Sequence, residues 1–175
     1  MAITNALWHF ARGMAYAATG RVENAQAEQK VFLATQKRIP ASANFNKNSA
    51  SNILKIAGLV LDAKIAIAKD DNKSAIASLK QATEVQDSLN YHEPPDWFFP
   101  VRESLGGALL LNHEYKEAEQ VFRDDLERNP RNGRSLFGLH ESLKAQGRKF
   151  DAQWVQREFE TAWKNADTQL GVEEL

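Results

Sequence analysis

Apolar and small residues recur along this chain every three or four positions, in stretches that pair up around short polar breaks. That period places them on one face of a helix. Ala6, Phe10, Gly13 and Ala17 share one side of a helix predicted over Asn5–Thr19. Gly20 breaks it, and Ala25 with the Phe32–Leu33 pair marks a returning helix over Val22–Ala34. A second pair is predicted over Asn52–Ala68 and Lys73–Ser88. Ile53, Ile56, Ala57, Val60, Leu61, Ile65 and Ile67 surround much of its first helix, which should be deeply buried, while Ala75, Ile76, Leu79 and Ala82 stripe its second. Asp70-Asp71-Asn72 offers side-chain oxygens to the orphan amides of the returning helix. A third pair covers Val101–Leu111 and Tyr115–Glu127, closed by Asn129-Pro130, and a fourth covers Gly133–Ala145 and Phe150–Asn165, turning at Gln146-Gly147.

The hairpins thus occupy approximately 5–34, 52–88, 97–128 and 133–165 of a single domain over 1–168, with a frayed tail at 169–175. Two connections are long, the first of them beyond the usual 2–8 residues between packed helices. The first, 35–51, is rich in Asn, Ser, Ala and Lys and reads as a partly mobile spacer. The second, 89–96, opens a run of aromatic residues, prolines and charges from Tyr91 to Pro100. Pro94 and Pro95 stop any continuing helix, Asp96 is expected to cap the next one, and Pro100 suits its first turn.

Aligned on their turns, the four hairpins share a small-residue pattern. The turn residues Gly20, Asp70, His113 and Gly147 are each followed five places later by alanine, at Ala25, Ala75, Ala118 and Ala152. Seven places before the turn stand Gly13, Ala63, Gly106 and His140, the first three small enough for helices to approach closely. Ala118 and Ala152 are 34 residues apart, the period of tetratricopeptide repeats. The other separations, 50 and 43, exceed that period where the two long connections fall.

On these residues the chain resembles the tetratricopeptide repeat family over nearly its whole length. The family's small, aromatic and alanine positions match Gly13, Tyr16 and Ala25 in the first hairpin, and its small, alanine, aromatic and proline positions match Gly106, Ala118, Phe122 and Pro130 in the third. The family's tryptophan has no counterpart at its usual place, Asp125 stands where a small residue is usual, and His140 replaces glycine or alanine. EPPDWFFPVRESLGGALL, followed by EAEQVFRDDLERNPRNGRSLFGL, looks like the C-terminal part of larger bacterial tetratricopeptide-repeat proteins, so the chain is expected to be a fragment of a longer protein. The resemblance implies an all-α fold, a right-handed superhelical array of about four antiparallel helix–turn–helix hairpins. It also implies a concave groove that binds extended segments, lined by Phe10, Met14, Val60, Lys64, Glu103, Leu110, Arg134, Phe137, Glu141 and Lys144. Aromatic and arginine anchors of this kind are enriched at binding hot spots. The Lys/Asn/Arg clamp that some members use on a C-terminal carboxylate is not reproduced.

Composition is that of an ordinary globular chain, 43% hydrophobic and 26% charged. A net charge of −1 gives no overall field towards nucleic acid or an anionic membrane, and neither is expected as a partner. With no cysteine there is no disulfide, thiolate or Cys-based zinc chemistry. The opening MAITNALWHFARGMAYAATG lacks a basic n-region and is interrupted by Arg12, so it predicts no export signal and favours the cytoplasm for the chain as written.

His9, His92, His113 and His140 never stand four apart, so the helical two-His zinc motif is missing, and Gly106-Gly107 lacks the Gly-Lys-Ser/Thr ending of a phosphate loop. His113 is expected in solvent and His140 as a hydrogen-bonded packing residue. No metal, cofactor or catalytic residue is expected. Tyr91, His92, Glu93, Asp96, Trp97 and Arg102 form the densest chemical cluster. One reading makes them a rigid loop whose Tyr and Trp cover the seam between hairpins, with Arg102 paired to a carboxylate. A second makes them a ligand or peptide contact. A third makes Glu93 or Asp96 a general acid or base tuned by His92 or Arg102. Finally, Trp154, Val155, Phe159, Ala162 and Trp163 give the last helix a wide apolar surface: either a self-association face forming a homodimer, or tryptophans packed within the chain. The reading as a whole is a non-catalytic scaffold that binds a protein or peptide in its groove, the alternative being a small-ligand or enzymatic site at Tyr91–Trp97.

Overall fold

The computed structural model describes residues 2–175. Among the described residues it contains eight α-helices packed as sequential antiparallel pairs, as the apolar period requires. They are α1 (Ala2–Ala18), α2 (Val22–Gln36), α3 (Ala50–Ile67), α4 (Asn72–Asp87), α5 (Val101–Leu111), α6 (Tyr115–Arg128), α7 (Gly133–Ala145) and α8 (Lys149–Trp163). The chain divides into two compact units, Met1–Val101 and Arg102–Leu175.

The small-residue alignment has a direct geometric counterpart. Gly20, Asp70, His113 and Gly147 all adopt positive φ, at 71°, 59°, 62° and 74°. At each turn the next residue's amide reaches back five positions: Arg21 to Tyr16, Asp71 to Ala66, Glu114 to Leu109 and Arg148 to Leu143. This satisfies a carbonyl the ended helix would otherwise leave unpaired. The left-handed geometry suits the two glycines, and Asp70 and His113 adopt it at some conformational cost. Ala25, Ala75, Ala118 and Ala152 are all buried where the returning helix begins. Asp71 caps α4 through the Ser74 amide, 3.1 Å away, as its position in the sequence suggested.

In the first unit α3 carries the core. Ile53, Leu54, Ile56, Ala57, Val60 and Leu61 are buried on it, and it packs against α1, α2 and α4. Gly13 accommodates the end of Leu61 across the α1–α3 contact. The 35–51 connection is more ordered than a spacer. Asn44–Phe45 and Asn48–Ser49 form a two-stranded antiparallel ladder, β1 and β2, and Ser49 then caps α3 by accepting from the Asn52 amide at 3.1 Å.

In the second unit the Phe122 ring of α6 is the central object. It fills the space a Cβ would take at Gly106 on α5, and also the space a Cβ would take at Gly138 on α7. Gly106 is therefore explained by close packing, as the sequence suggested. The small residue that admits the ring from α7 is Gly138, two places before the half-buried His140. Residues 169–175, expected to fray, are instead anchored. Trp163 Nε1 donates to the Thr168 carbonyl at 2.7 Å, Val172–Glu174 forms a short 3-10 turn, and Leu175 lies against Gly107. These anchors run through backbone carbonyls and glycine, which carry no compositional signal.

Candidate functional site

Two polar assemblies stand out, one in each unit. In the first unit, β1 and β2 bring Asn46 and Asn48 under the 91–100 loop. Asp96 does not cap α5. Its Oδ1 accepts from Asn46 Nδ2 and its Oδ2 from Asn48 Nδ2, both at 2.7 Å. The hydrogen bond from Asn46 is the main reason its carboxyl titrates below the ordinary aspartate range; Asn48 and the nearby His92 act in the same direction, against the cost of burial. Asn48 is itself buried and also clasps the backbone of Asn90, donating to its carbonyl at 3.0 Å and accepting from its amide at 2.7 Å. The cap function expected of Asp96 falls to Gln86 of α4. Its Oε1 accepts from the Val101 amide at 2.8 Å while its Nε2 donates to the Phe99 carbonyl at 3.1 Å. The helix can therefore begin five residues after Asp96 without leaving that amide bare.

The aromatic residues of the loop part company. Trp97 is 3% exposed and packs onto Phe10 of α1, ring centroids 5.9 Å apart, with Phe98 and Phe99 at 5.2 and 5.5 Å. Tyr91, expected to cover a seam, is 79% exposed, and its hydroxyl donates to Glu93 Oε1 at 2.7 Å, a bond that raises its pKa. A hydroxyl already paired with an exposed carboxylate needs no burial against a neighbouring helix. His92 Nδ1 lies 2.9 Å from the Pro94 carbonyl and 3.7 Å from Asp96 Oδ1; Glu93–Pro94 is a cis peptide. Arg102 is half-buried at the start of α5. Beneath the loop lies a cavity of about 470 Å³, walled by Leu7, Phe10 and Ala11 of α1, Ile53 of α3, Phe45 and Asn46 of the β-turn, and Pro94 to Phe98.

In the second unit, Asn132 is the hub. Its Nδ2 lies 2.8 Å from Glu103 Oε1, 2.9 Å from Asp125 Oδ2 and 3.2 Å from Ser135 Oγ, while its Oδ1 caps α7 at the Arg134 amide. Asn129 Nδ2 reaches Asp125 Oδ1 at 2.9 Å, and Ser135 Oγ donates to Asp125 Oδ2 at 2.5 Å. Arg134 Nε meets Glu103 Oε2 at 2.6 Å, and its Nη2 donates to the Glu174 carbonyl. Asp125, 1% exposed, occupies the small-residue position because these donors compensate its burial. Sequence reading singled out Glu103 and Arg134 separately. It missed Asn132 and Ser135 and noted Asp125 only as a departure from the small residue usual there, although an aspartate on the buried stripe of α6, followed by two asparagines, was an available signal.

The remaining predicted residues are dispersed. Phe10 is buried against Trp97, and Met14 and Lys64 are half-buried on α1 and α3. Phe137 packs against Phe159 of α8 at 5.7 Å. Glu141 is bracketed by His140 Nδ1 at 3.1 Å and Lys144 Nζ at 3.2 Å. On α8, Phe159 stacks with Trp163, which fills the space beside Gly133, whereas Trp154 stays 56% exposed with Phe150 edge-on to it at 6.3 Å. His113 is exposed in its turn, with Nδ1 2.7 Å from the Tyr115 hydroxyl. A further cluster absent from the sequence reading joins Glu28 of α2 to His9 and Arg12 of α1 at 2.6 and 3.0 Å. Among the described residues no group of three or more acids and histidines could hold a metal ion, and no helix is long and apolar enough to cross a membrane. Comparison with protein-family models, with curated proteins and with solved structures finds no match to this chain.

Proposed function

We propose that this protein is a non-catalytic scaffold that binds an extended segment of a partner protein, and that its four hairpins form a right-handed array of the tetratricopeptide type. The four equivalent left-handed turns and the four buried alanines behind them support the array. The observation that carries the function is in the second unit. There α5 and α7 already hold the 169–175 segment, which makes only a single 3-10 turn at Val172–Glu174, with Arg134 donating to the Glu174 carbonyl and Gly107 leaving room for Leu175. A guanidinium on a main-chain carbonyl beside a glycine-lined apolar spot reads backbone and one apolar side chain, the means by which grooves recognise extended peptides. Glu103 fixes the guanidinium for that task, since the Nε bond at 2.6 Å leaves its outer nitrogens to point elsewhere.

The test uses the full chain with its own segment loosened by Val172→Gly and Leu175→Gly. A labelled peptide of residues 166–175 should bind this protein, and bind at least about tenfold more weakly when Arg134→Ala is added, a loss of the size expected for a charge-assisted hydrogen bond. Glu93→Ala, in the other unit, should leave binding unchanged. Binding insensitive to Arg134→Ala would refute the proposed groove.

A further inference from the structure

We propose that Asn132–Gly133 is a site of spontaneous deamidation that the native fold keeps closed, and that conversion there disables the second unit. The chemistry is independent of any partner bound in the groove.

Of all the asparagines in the chain, only Asn132 is followed by glycine. Glycine obstructs its own amide nitrogen least, because it has no Cβ. The reaction needs water and no enzyme. The Gly133 nitrogen gives up its proton to a water or hydroxide base and attacks Cγ of Asn132. An N–Cγ bond forms, the Cγ–Nδ2 bond breaks, and ammonia leaves with a proton taken from solvent. Water then opens the resulting five-membered imide at one of its two carbonyls. The product is aspartate or, where the backbone is rerouted through the side chain, isoaspartate.

Three features of the fold oppose the first step. Ring closure requires the Gly133 nitrogen to eclipse Cβ of Asn132, and a ψ of 109° holds it far round the Cα–C bond from that position. The side chain is tied at both ends. Its Nδ2 donates towards Glu103 Oε1 and Asp125 Oδ2 at 2.8 and 2.9 Å, and its Oδ1 accepts from the Arg134 amide at 3.1 Å. Gly133 is also the first residue of α7 and lies against the Trp163 ring, so its peptide cannot swing without disturbing both.

The product does not fit the place the asparagine left. A group that donated to two acids becomes a carboxylate that donates to neither, beside an Asp125 that is 1% exposed. Like charges this close in a poorly solvated setting repel strongly. Arg134 cannot compensate freely, since it is engaged by Glu103 Oε2 and the Glu174 carbonyl. A transient opening of the second unit is therefore recorded covalently, and the chain that carries the record does not regain the native hub.

The test follows the full chain in mildly alkaline buffer, with and without guanidinium chloride sufficient to unfold it. Peptide mapping by mass spectrometry scores conversion at Asn132 against Asn48, which is followed by serine. In denaturant Asn132 should convert well ahead of Asn48, and in the native chain its rate should fall at least about tenfold. After dilution out of denaturant and brief proteolysis, converted chains should be lost before unconverted ones. Asn132→Asp reproduces the product without ageing. Aspartate caps a helix about as well as asparagine and far better than alanine, so capping alone would rank Asn132→Asp above Asn132→Ala. The charge argument reverses that order in denaturation midpoint, and failure of Asn132→Asp alone to fold would support it equally. Equal conversion rates in native and unfolded chain would overturn the proposal, whatever the variants do. So would converted chains that survive proteolysis as well as unconverted ones, or an Asn132→Asp midpoint at or above that of Asn132→Ala.

Discussion

Two asparagines, Asn48 and Asn132, perform related tasks in the two units by different chemistry. Each is a hub whose amide donates to a carboxylate and whose carbonyl oxygen accepts from a backbone amide. Asn48 ties one irregular segment to another, and two of its three bonds go to the main chain of Asn90. Asn132 stands between two buried acids, Glu103 and Asp125, and its donors offset charge. The difference teaches where each unit is vulnerable. Removing a partner from a buried charge costs more than removing one from a neutral backbone group, because the charge has no water to turn to.

The largest expected effect is therefore in the second unit. Asn132→Ala removes a donor from both acids together with the cap of α7, and should lower stability by about 3 kcal/mol, read from urea denaturation. Asn48→Ala leaves the Asn90 amide, the Asn90 carbonyl and Asp96 short of one bond each. It should cost about 1.5 kcal/mol and raise hydrogen exchange mainly at Asn90 and the neighbouring loop. If the two variants proved equally costly, the distinction between charge-bearing and backbone-bearing hubs would collapse.

Acid sharpens the comparison further. The folded pKa of Asp96 lies below its unfolded value, so its contribution is complete above the ordinary aspartate pKa of about 3.9 and is lost as pH falls through the lower folded value. Side-chain amide shifts of Asn46 and Asn48 should titrate together in that acidic window, and Asp96→Asn should abolish the transition. The smallest effect is expected at Tyr91→Phe, which removes only an exposed bond to Glu93 and should leave the urea midpoint unchanged within error.

These hubs also show what could be read from the chain in advance. The hairpins were legible because turns and small residues are local signals, and Gly20, Asp70, His113 and Gly147 all came out in the left-handed conformation. The 91–100 loop was legible as unusual, but its architecture was not. Its carboxylate is held by Asn46 and Asn48, about fifty residues upstream in a stretch whose composition resembles filler. Charged residues close in sequence left a structural loop, a ligand contact and an acid–base pair all open; their partners, the neutral amides on Asp96 and the Tyr91–Glu93 bond in solvent, were not readable from the loop itself. The anchoring of the 169–175 segment carried no sequence signal, because the backbone oxygens that hold it and the residue just before it, of Glu174 and Thr168, are ones every residue type possesses.

The ring of Phe122, held between Gly106 and Gly138, has a consequence for how this sequence can change over time. Positions 106, 122 and 138 lie on three different helices but share one volume, so none of them drifts independently. An added methyl at either glycine displaces the ring unless position 122 shrinks in the same lineage, and a smaller residue at 122 opens a void that only larger neighbours can fill. The three positions should behave in descent as a single inherited character, passed on intact or exchanged together.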